Sequence, residues 1–373
     1  MSVFTSEKLS LEAGADHLMQ LLRKAAVHPI PSEVSLSTLF TQQRLKEEWK
    51  YTPLDFLRYP WELTEIQPTS FPFPLAHSAD ETNLVPPLPE MRSPWDTLLL
   101  HTAHHKHYEI QGESALPIGL HNSGGAAPLL ITVYVRANSS AEIGLFVEGK
   151  GLSLLRLHLH LEEGAHARLY IPYTEDNPES YTYFLVSAEI KERATLESYD
   201  FVARAHWKRS EMRIRLTGKE ARAYLVGATL TRSGGMNDFT LRVEHYAPHT
   251  ESNQFFKSLV HTGGRSVFQG NIYVHPHAQK TNAYQSHKSL LWDAGASAYS
   301  RPQLEIFADD VRCTHGVTTG FLQGDMLFYL LTRGIPTAQA RQILASAFLN
   351  EAVEKIPHPD FRRFTEREME LFL

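Results

Sequence analysis

The segment MRIRLTGKEARAYLVG, residues 212–227, alternates apolar and polar side chains up to Leu216, turns through a short polar corner, and resumes its alternation after Ala221. Alternation with period two marks a strand, because successive side chains leave opposite faces of the pleat. The unit recurs. EEGAHARLYI, KERATLESYD, GKEARAYLVG, EHYAPHTESN, HPHAQKTNAY and IFADDVRCTHG align on an alanine at 165, 194, 221, 247, 278 and 308, in steps of 29, 27, 26, 31 and 30 residues. Short strands recurring at that interval suit a solenoid whose coils stack about 4.8 Å apart. The expected fold class is mainly β, a right-handed parallel β-helix, with a β-sandwich or barrel as the competing arrangement.

Working outward, the alternating pattern begins near Leu129 in LLITVYVRA and persists to about Gly320, so residues 129–320 form the expected core. No long helical pattern interrupts it, which excludes a doubly wound α/β fold. Residues 1–65 read as an N-terminal helical region, with Leu18, Leu21, Leu22 and Ala25 on one face and Pro29 and Pro31 stopping the segment. Residues 66–128 read as an irregular proline-rich arm leading into the core, and the aromatics of WKYTPLDFLRYPWEL just before it pin the chain to a neighbouring surface. Residues 321–373 read as a C-terminal helical domain. Met326, Leu327, Leu330 and Leu331 group on a helix ending at Gly334; a second helix starts at Thr337 and carries Ala340, Ile343, Leu344, Ala347 and Phe348 on one stripe; a third follows Asp360. A solenoid exposes its last coil, so these helices are expected to cap it, to dock a partner, or to do both.

The 373 residues are 42% hydrophobic and 21% charged with a net charge of -6, which suits a globular chain and offers no basic footprint for nucleic acid or an anionic membrane. No apolar run reaches the ~18 residues that span a bilayer, and the start lacks a signal-peptide pattern. A cytoplasmic protein is the simplest expectation. One cysteine forms no intrachain disulfide and builds no all-cysteine metal cage. No Walker A, G-x-S-x-G, Rossmann glycine or zincin pattern occurs, so the chain carries no ATP site of its own.

That cysteine is Cys313, two residues before His315. On a strand the two side chains project to one side, and thiolate and imidazole both ligate iron or zinc. Two ligands do not close a four-coordinate site, so this is half a site, to be completed from another chain, a cofactor or sulfide; the alternative is a buried thiol beside an ordinary histidine. HTAHHKH, with His101, His104, His105 and His107, has metal-ligand spacing if helical, while His158 with His160 and His275 with His277 read as strand-face histidines. Asp309 and Asp310 raise a rival, a carbohydrate-active β-helix hydrolase or lyase. Adjacent residues of a strand face opposite ways, which disfavours their acting as a pair.

EEWKYTPL, HYAPHTESNQFFKSLV, GRSVFQGNIYVHPHAQKTNAYQ, RPQLEIFADDVRCTHGVTTG, LFYLLTRGI and ARQILASAF together resemble the SufB/SufD family of the SUF iron–sulfur cluster assembly system. SufB-like members carry further cysteines and a glutamate after the matching histidine. Gly316 stands there in this chain, which places the resemblance on the SufD side. The resemblance implies a non-enzymatic accessory scaffold, a heterodimer with a SufB-like scaffold, and a SufC-like ABC ATPase docked on the C-terminal helices. A homodimer is the alternative in isolation. It implies no stably bound cofactor but a transient iron–sulfur cluster shared with SufB, with His315 as ligand and Cys313 in support. ATPase docking is expected around Leu327, Phe328, Arg333, Ile335 and Phe348.

Overall fold

The computed structural model describes residues 9–24, 34–74, 104–175, 177–322 and 324–371, together with positions 26, 30, 32, 79, 95, 98 and 99. Helices α1 (Leu11–Lys24), α2 (Thr38–Thr41) and α3 (Gln43–Glu48) precede the strands β1 (Gln67–Pro68), β2 (His104–Ile110), β3 (Glu113–Val135), β4 (Ser140–Leu161) and β5 (His166–Glu175). There follow β6 (Ser180–Ile190), β7 (Thr195–Ala205), β8 (Trp207–Leu216), β9 (Arg222–Thr231), β10 (Met236–His245) and β11 (Glu251–Val260). The chain continues through β12 (Arg265–Val274), β13 (Asn282–Leu291), β14 (Ser297–Ile306) and β15 (Arg312–Phe321), and ends in α4 (Asp325–Thr332), α5 (Thr337–Val353) and α6 (Pro359–Glu370).

The strand order β14-β12-β10-β8-β6-β4-β5-β7-β9-β11-β13-β15 separates alternate strands onto two faces, and every pairing along it is parallel. From β4 to β13 each strand therefore pairs with the strand two ahead in sequence, which is the topology of a parallel β-helix. Among the described strands only the short β1 runs antiparallel, against β3. The interior is lined by the alternating apolar positions, such as Leu157, Val186, Met212 and Leu241 on one face and Leu169 and Leu225 on the other, all at most 1% exposed.

One corner is built by a column of left-handed residues. Asn138, Gly164, Arg193, Glu220, His249 and Lys280 all have φ between 54° and 67°. Each donates its backbone N–H to a carbonyl of the next coil, from Asn138 to Glu163 at 2.9 Å through to Lys280 to Asp310 at 2.7 Å. Five of the six are not glycine, so each carries a steric cost that the stacked hydrogen bonds offset.

This corner also corrects the repeat. Ala165, Ala194 and Ala221 directly precede the register-matched residues His166, Thr195 and Arg222, but Arg222 pairs onward with Glu251, Asn282 and Arg312. The equivalent positions are therefore Thr250, Thr281 and Val311, three residues beyond Ala247, Ala278 and Ala308. A threonine fits there because its hydroxyl donates back to the turn: Thr250 Oγ1 to Ala247 O at 3.1 Å, and Thr281 Oγ1 to Ala278 O at 2.8 Å.

The strands begin earlier than expected. Residues 104–128, read as part of an irregular arm, form β2 and most of β3. Gly124 and Gly125, with positive φ, bend β3 around a corner where a Cβ on Gly125 would lie 2.5 Å from Glu62 O. Glycine and proline there mark bends in a long strand rather than a loop. On the outer surface of β4, β6, β8 and β10 Trp49, Phe56 and Trp61 of the N-terminal region, together with Trp95, pack against Leu154, Tyr181, Tyr183 and Trp207. Arg209, with no exposed surface, stacks 4.0 Å from the Trp49 ring centroid and pairs with the equally buried Asp238, which also accepts from Thr52.

The C-terminal helices do not cap the last coil. α5 and α6 lie along the outer face of β5, β7, β9 and β11, where Ala345, Leu349, Ala352, Phe361 and Met369 pack on Tyr170, Phe201, Ala228 and Leu259. The buried stripe of α5 is Ala340, Ala345, Leu349, Ala352 and Val353, so it is rotated from the expected one, and Ile343 is 42% exposed. Lys257 fixes the seam by donating to Phe348 O at 2.6 Å and pairing with Glu351.

Candidate functional site

With the helices docked sideways, β14 and β15 remain as the open end of the solenoid. No residue of either strand is buried, in contrast to the strands before them. The adjoining surface exposes Tyr284, Ile306, Phe307 and Phe321. A parallel edge of unpaired backbone groups beside large apolar side chains is a surface that proteins ordinarily cover.

Cys313 and His315 both stand on β15 at positions whose predecessors face the interior. Cys313 extends the column Ala167, Leu196, Ala223, Ser252 and Ala283. It is half-buried and, like Leu304 and Val311, packs against the small apolar cluster of Ile272, Val274, Ala278, Ala283 and Ala308. Burial pushes its thiol pKa up, partly opposed by a hydrogen bond with the Ala283 backbone. A raised pKa means less thiolate, so Cys313 alone is a poor nucleophile. His315 extends the column Ile143, Leu169, Ser198, Leu225, Gln254 and Gln285, and it is exposed because no further coil covers it. The pair thus shares one side of one strand, as strand geometry requires, and faces out of the solenoid's mouth. Among the described residues no cluster of three His, Cys, Asp or Glu could hold a metal ion.

The other predicted positions separate. Asp309 and Asp310 are exposed on the corner before β15, and Asp310 is committed to that corner. It pairs with Lys280, receives the Lys280 N–H on its carbonyl, and donates its own N–H to Gln279 Oε1 at 3.0 Å. An acid–base pair needs two carboxylates free to aim at one bond, and Asp310 is tied to its corner, which disfavours the hydrolase reading. Of HTAHHKH, His101 lies outside the described residues, and the stretch from His104 is strand rather than helix. His107 Nδ1 hydrogen-bonds Thr132 Oγ1 in the neighbouring strand. His158 bonds Ser187 at 3.0 Å, while His160 stacks on Tyr134 and His275 on Tyr246, at 4.5 and 3.8 Å between centroids. His277 is exposed in a turn.

α4 buries no residue. Phe328 is 69% exposed, Arg333 is exposed and lies 5.1 Å from the Tyr329 ring, and Leu327 and Ile335 are half-buried. Phe348 instead packs inward, 4.3 Å from Lys257 Nζ. Met326 and Tyr329, exposed at 71% and 56%, add to the apolar surface of this helix and were missed as docking candidates because helical periodicity alone counts such residues as core.

Residues 121–348 match the family model described as "SUF system FeS cluster assembly, SufBD core domain". The chain belongs to the SufBD core family. Its relatives in that family include the iron–sulfur cluster assembly protein SufD of Escherichia coli K12, 28% identical over 257 residues, or 69% of this chain and 56% of the relative. The chloroplastic protein ABCI7 of Arabidopsis thaliana is 43% identical over 31% of this chain and 24% of its own length. A SufBD family protein of Synechocystis is 38% identical over 32% of this chain and 26% of its own. The matches thus span between a quarter and just over half of these relatives. The SufBD match covers the coils from β3 onward and runs on through β15 and α4 into α5, so both exposed surfaces lie within the shared core. No helix of the described residues is long and apolar enough to cross a membrane.

Proposed function

We propose that this SufBD-family chain is an accessory scaffold subunit of SUF iron–sulfur cluster assembly, of the SufD type, rather than an enzyme. Its open coil pairs with a SufB-like scaffold, and the apolar face of α4 docks a SufC-like ABC ATPase. The observation that carries this reading is the uncovered β15, which exposes His315 on the same side of the strand as Cys313, with no metal-binding cluster of three His, Cys, Asp or Glu among the described residues. A half-site of this kind requires a second chain, and a cluster whose ligands come from two chains is released when the interface between them moves. The cluster is cargo, held transiently, with no stable cofactor of the chain's own; a homodimer through the same end is the alternative when the partner is missing. A reducing cytoplasmic setting fits a single half-buried thiol.

The test is co-expression with SufB-like and SufC-like chains, with mass determination of the complex and its iron and sulfide content. His315→Ala is expected to reduce cluster content at least about fivefold while the scaffold pair still co-purifies; such a loss corresponds to about 1 kcal/mol in ligand affinity. Unchanged content would refute the ligand role. Phe328→Asp is expected to release the ATPase while leaving the scaffold pair intact, because it places a charge in the middle of the α4 face. Retention of the ATPase by that variant would move the docking site elsewhere.

A further inference from the structure

The column that ends in His315 changes character as it approaches the open end. Its earlier members are Ile143, Leu169, Ser198 and Leu225; the last two before His315 are Gln254 and Gln285. Both glutamines are fully buried. Gln285 Nε2 donates to Gly270 O at 3.4 Å, which assigns the amide's orientation and leaves Oε1 as its free acceptor. That oxygen has no hydrogen-bond partner among the described residues, and neither has Gln254 at Nε2 or Oε1. An unsatisfied buried polar atom costs about 1–3 kcal/mol; in the earlier coils Ile143, Leu169 and Leu225 avoid that cost, and only the small Ser198 hydroxyl shares it. Space for the amide is made across the interior by Gly270, where a Cβ would lie 2.3 Å from Gln285 Oε1, in a column that otherwise carries Leu157, Val186, Met212 and Leu241.

Gln285 is the direct register partner of His315, so the two side chains stand one coil spacing apart, about 4.8 Å, on the same side of the sheet. We propose that Gln285 is a positioning residue for His315: its amide oxygen accepts one imidazole N–H, fixing the tautomer and leaving the other ring nitrogen bare to bind a metal. Ligating histidines characteristically donate their second nitrogen to such an acceptor, which orients the ring and raises its basicity. The inference rests on the ligand role proposed for His315. It explains why a glutamine with a free oxygen is buried where leucine would pack.

The test reads the tautomer in the full-length chain labelled with nitrogen-15 at histidine, using long-range proton–nitrogen correlations. The His315 and His277 resonances are identified by their absence in His315→Ala and His277→Ala. His315 is expected to favour one tautomer more strongly than the exposed His277. Gln285→Met should shift the His315 ratio by about tenfold, the equivalent of one hydrogen bond of about 1.4 kcal/mol, and Gln285→Glu, which keeps the acceptor, should restore it. A His315 ratio equal to that of His277, or one unmoved by Gln285→Met, overturns the assignment; the first comparison needs no folded Gln285 variant. Cluster content in the assembled complex separates the two readings. If His315→Ala lowers it but the tautomer ignores Gln285, the ligand role stands and the positioning role falls. If the tautomer is pinned but His315→Ala leaves cluster content unchanged, the ligand role falls and takes with it the purpose assigned to Gln285.

Discussion

Lowering the pH from 7.5 to 5.5 is expected to cost the folded chain about 4 kcal/mol of stability. His158, His245 and His287 are buried, and burial holds the pKa of each down at about 3, with the Arg156 and His160 charges adding to the effect at His158. As neutral rings, His245 is satisfied by Thr250 at 2.8 Å and Ser252 at 3.0 Å and His287 by Ser258 at 3.0 Å and Ser300 at 2.8 Å, while His158 bonds Ser187 through Nδ1 and its Nε2 has no partner among the described residues. In the unfolded chain the same imidazoles titrate near 6.5, so below that pH the unfolded state binds more protons. Stability is therefore complete above about pH 6.5 and is lost as the pH falls from there towards 3, at about 1.4 kcal/mol per unit for each histidine. By pH 4.5 the loss reaches about 8 kcal/mol, comparable to the whole stability of an ordinary domain. Glu197, held at about 2 chiefly by its hydrogen bond from His166, steepens the fall below about 4.5. Urea unfolding midpoints at pH 7.5, 6.5 and 5.5 measure the slope. His287→Gln should remove about a third of it, and a stability flat across this range would show that these rings are not buried as neutral species.

The coil was legible because strands of a β-helix keep their inward positions apolar, and that alternation survives in any single repeat. The corners were legible only in part. Alanine at 165, 194 and 221 fills the tight inner position as expected, but Thr250 and Thr281 fill it in later coils, and an alanine three residues upstream drew the alignment off register. The column of left-handed residues left no signal, since Arg193, Glu220 and Lys280 have no preference for that conformation. What holds them there is a hydrogen bond to the next coil, a long-range fact. The start of the strands was missed for a related reason: proline and glycine within residues 113–128 read as loop punctuation, whereas in a long parallel strand they mark bends.

At the open end, strand parity alone set Cys313 and His315 on one side; it does not apply to Asp309 and Asp310, which lie on the corner before β15. It could not say which end of the solenoid would stay uncovered. Apolar periodicity showed that the C-terminal helices have a face to bury, but α5 buries small residues such as Ala345 and Ala352, which allow close approach to the flat outer face of β9 and β11. That sideways docking leaves β15 free, with His315 exposed and Cys313 half-buried at the open end. The polar change from Leu225 to Gln254 and Gln285 was equally invisible in one dimension, because the three lie on successive coils.

Asp200→Leu is expected to destabilise the fold by about 3–5 kcal/mol, the range for a buried charge stripped of its partner. Asp200 and Lys208 face each other across the solenoid interior, one on β7 and one on β8, with side chains 0% and 2% exposed. Lys208 Nζ donates to Asp200 Oδ1 at 2.7 Å, to Oδ2 at 3.0 Å and to Ser210 Oγ at 2.5 Å, and lies 5.4 Å from the Tyr173 ring centroid. Burial already pulls the lysine pKa below its ordinary value, with Asp200 opposing that pull. Removing the carboxylate leaves an ammonium group among Tyr173, Phe239 and aliphatic neighbours with one hydroxyl as acceptor. The double substitution Asp200→Leu with Lys208→Met removes both charges, with methionine close to lysine in volume, so it should recover most of the loss and end within about 1–2 kcal/mol of the parent. Urea unfolding of the parent, both single variants and the double variant closes the cycle. The Asp200→Leu chain should also gain stability as pH rises towards 10.5, because its unfolded state keeps the lysine proton that the folded state sheds more readily. A single variant within about 1 kcal/mol of the parent, with no such pH dependence, would mean that water reaches the pair and that the interior of the solenoid is wet at this coil.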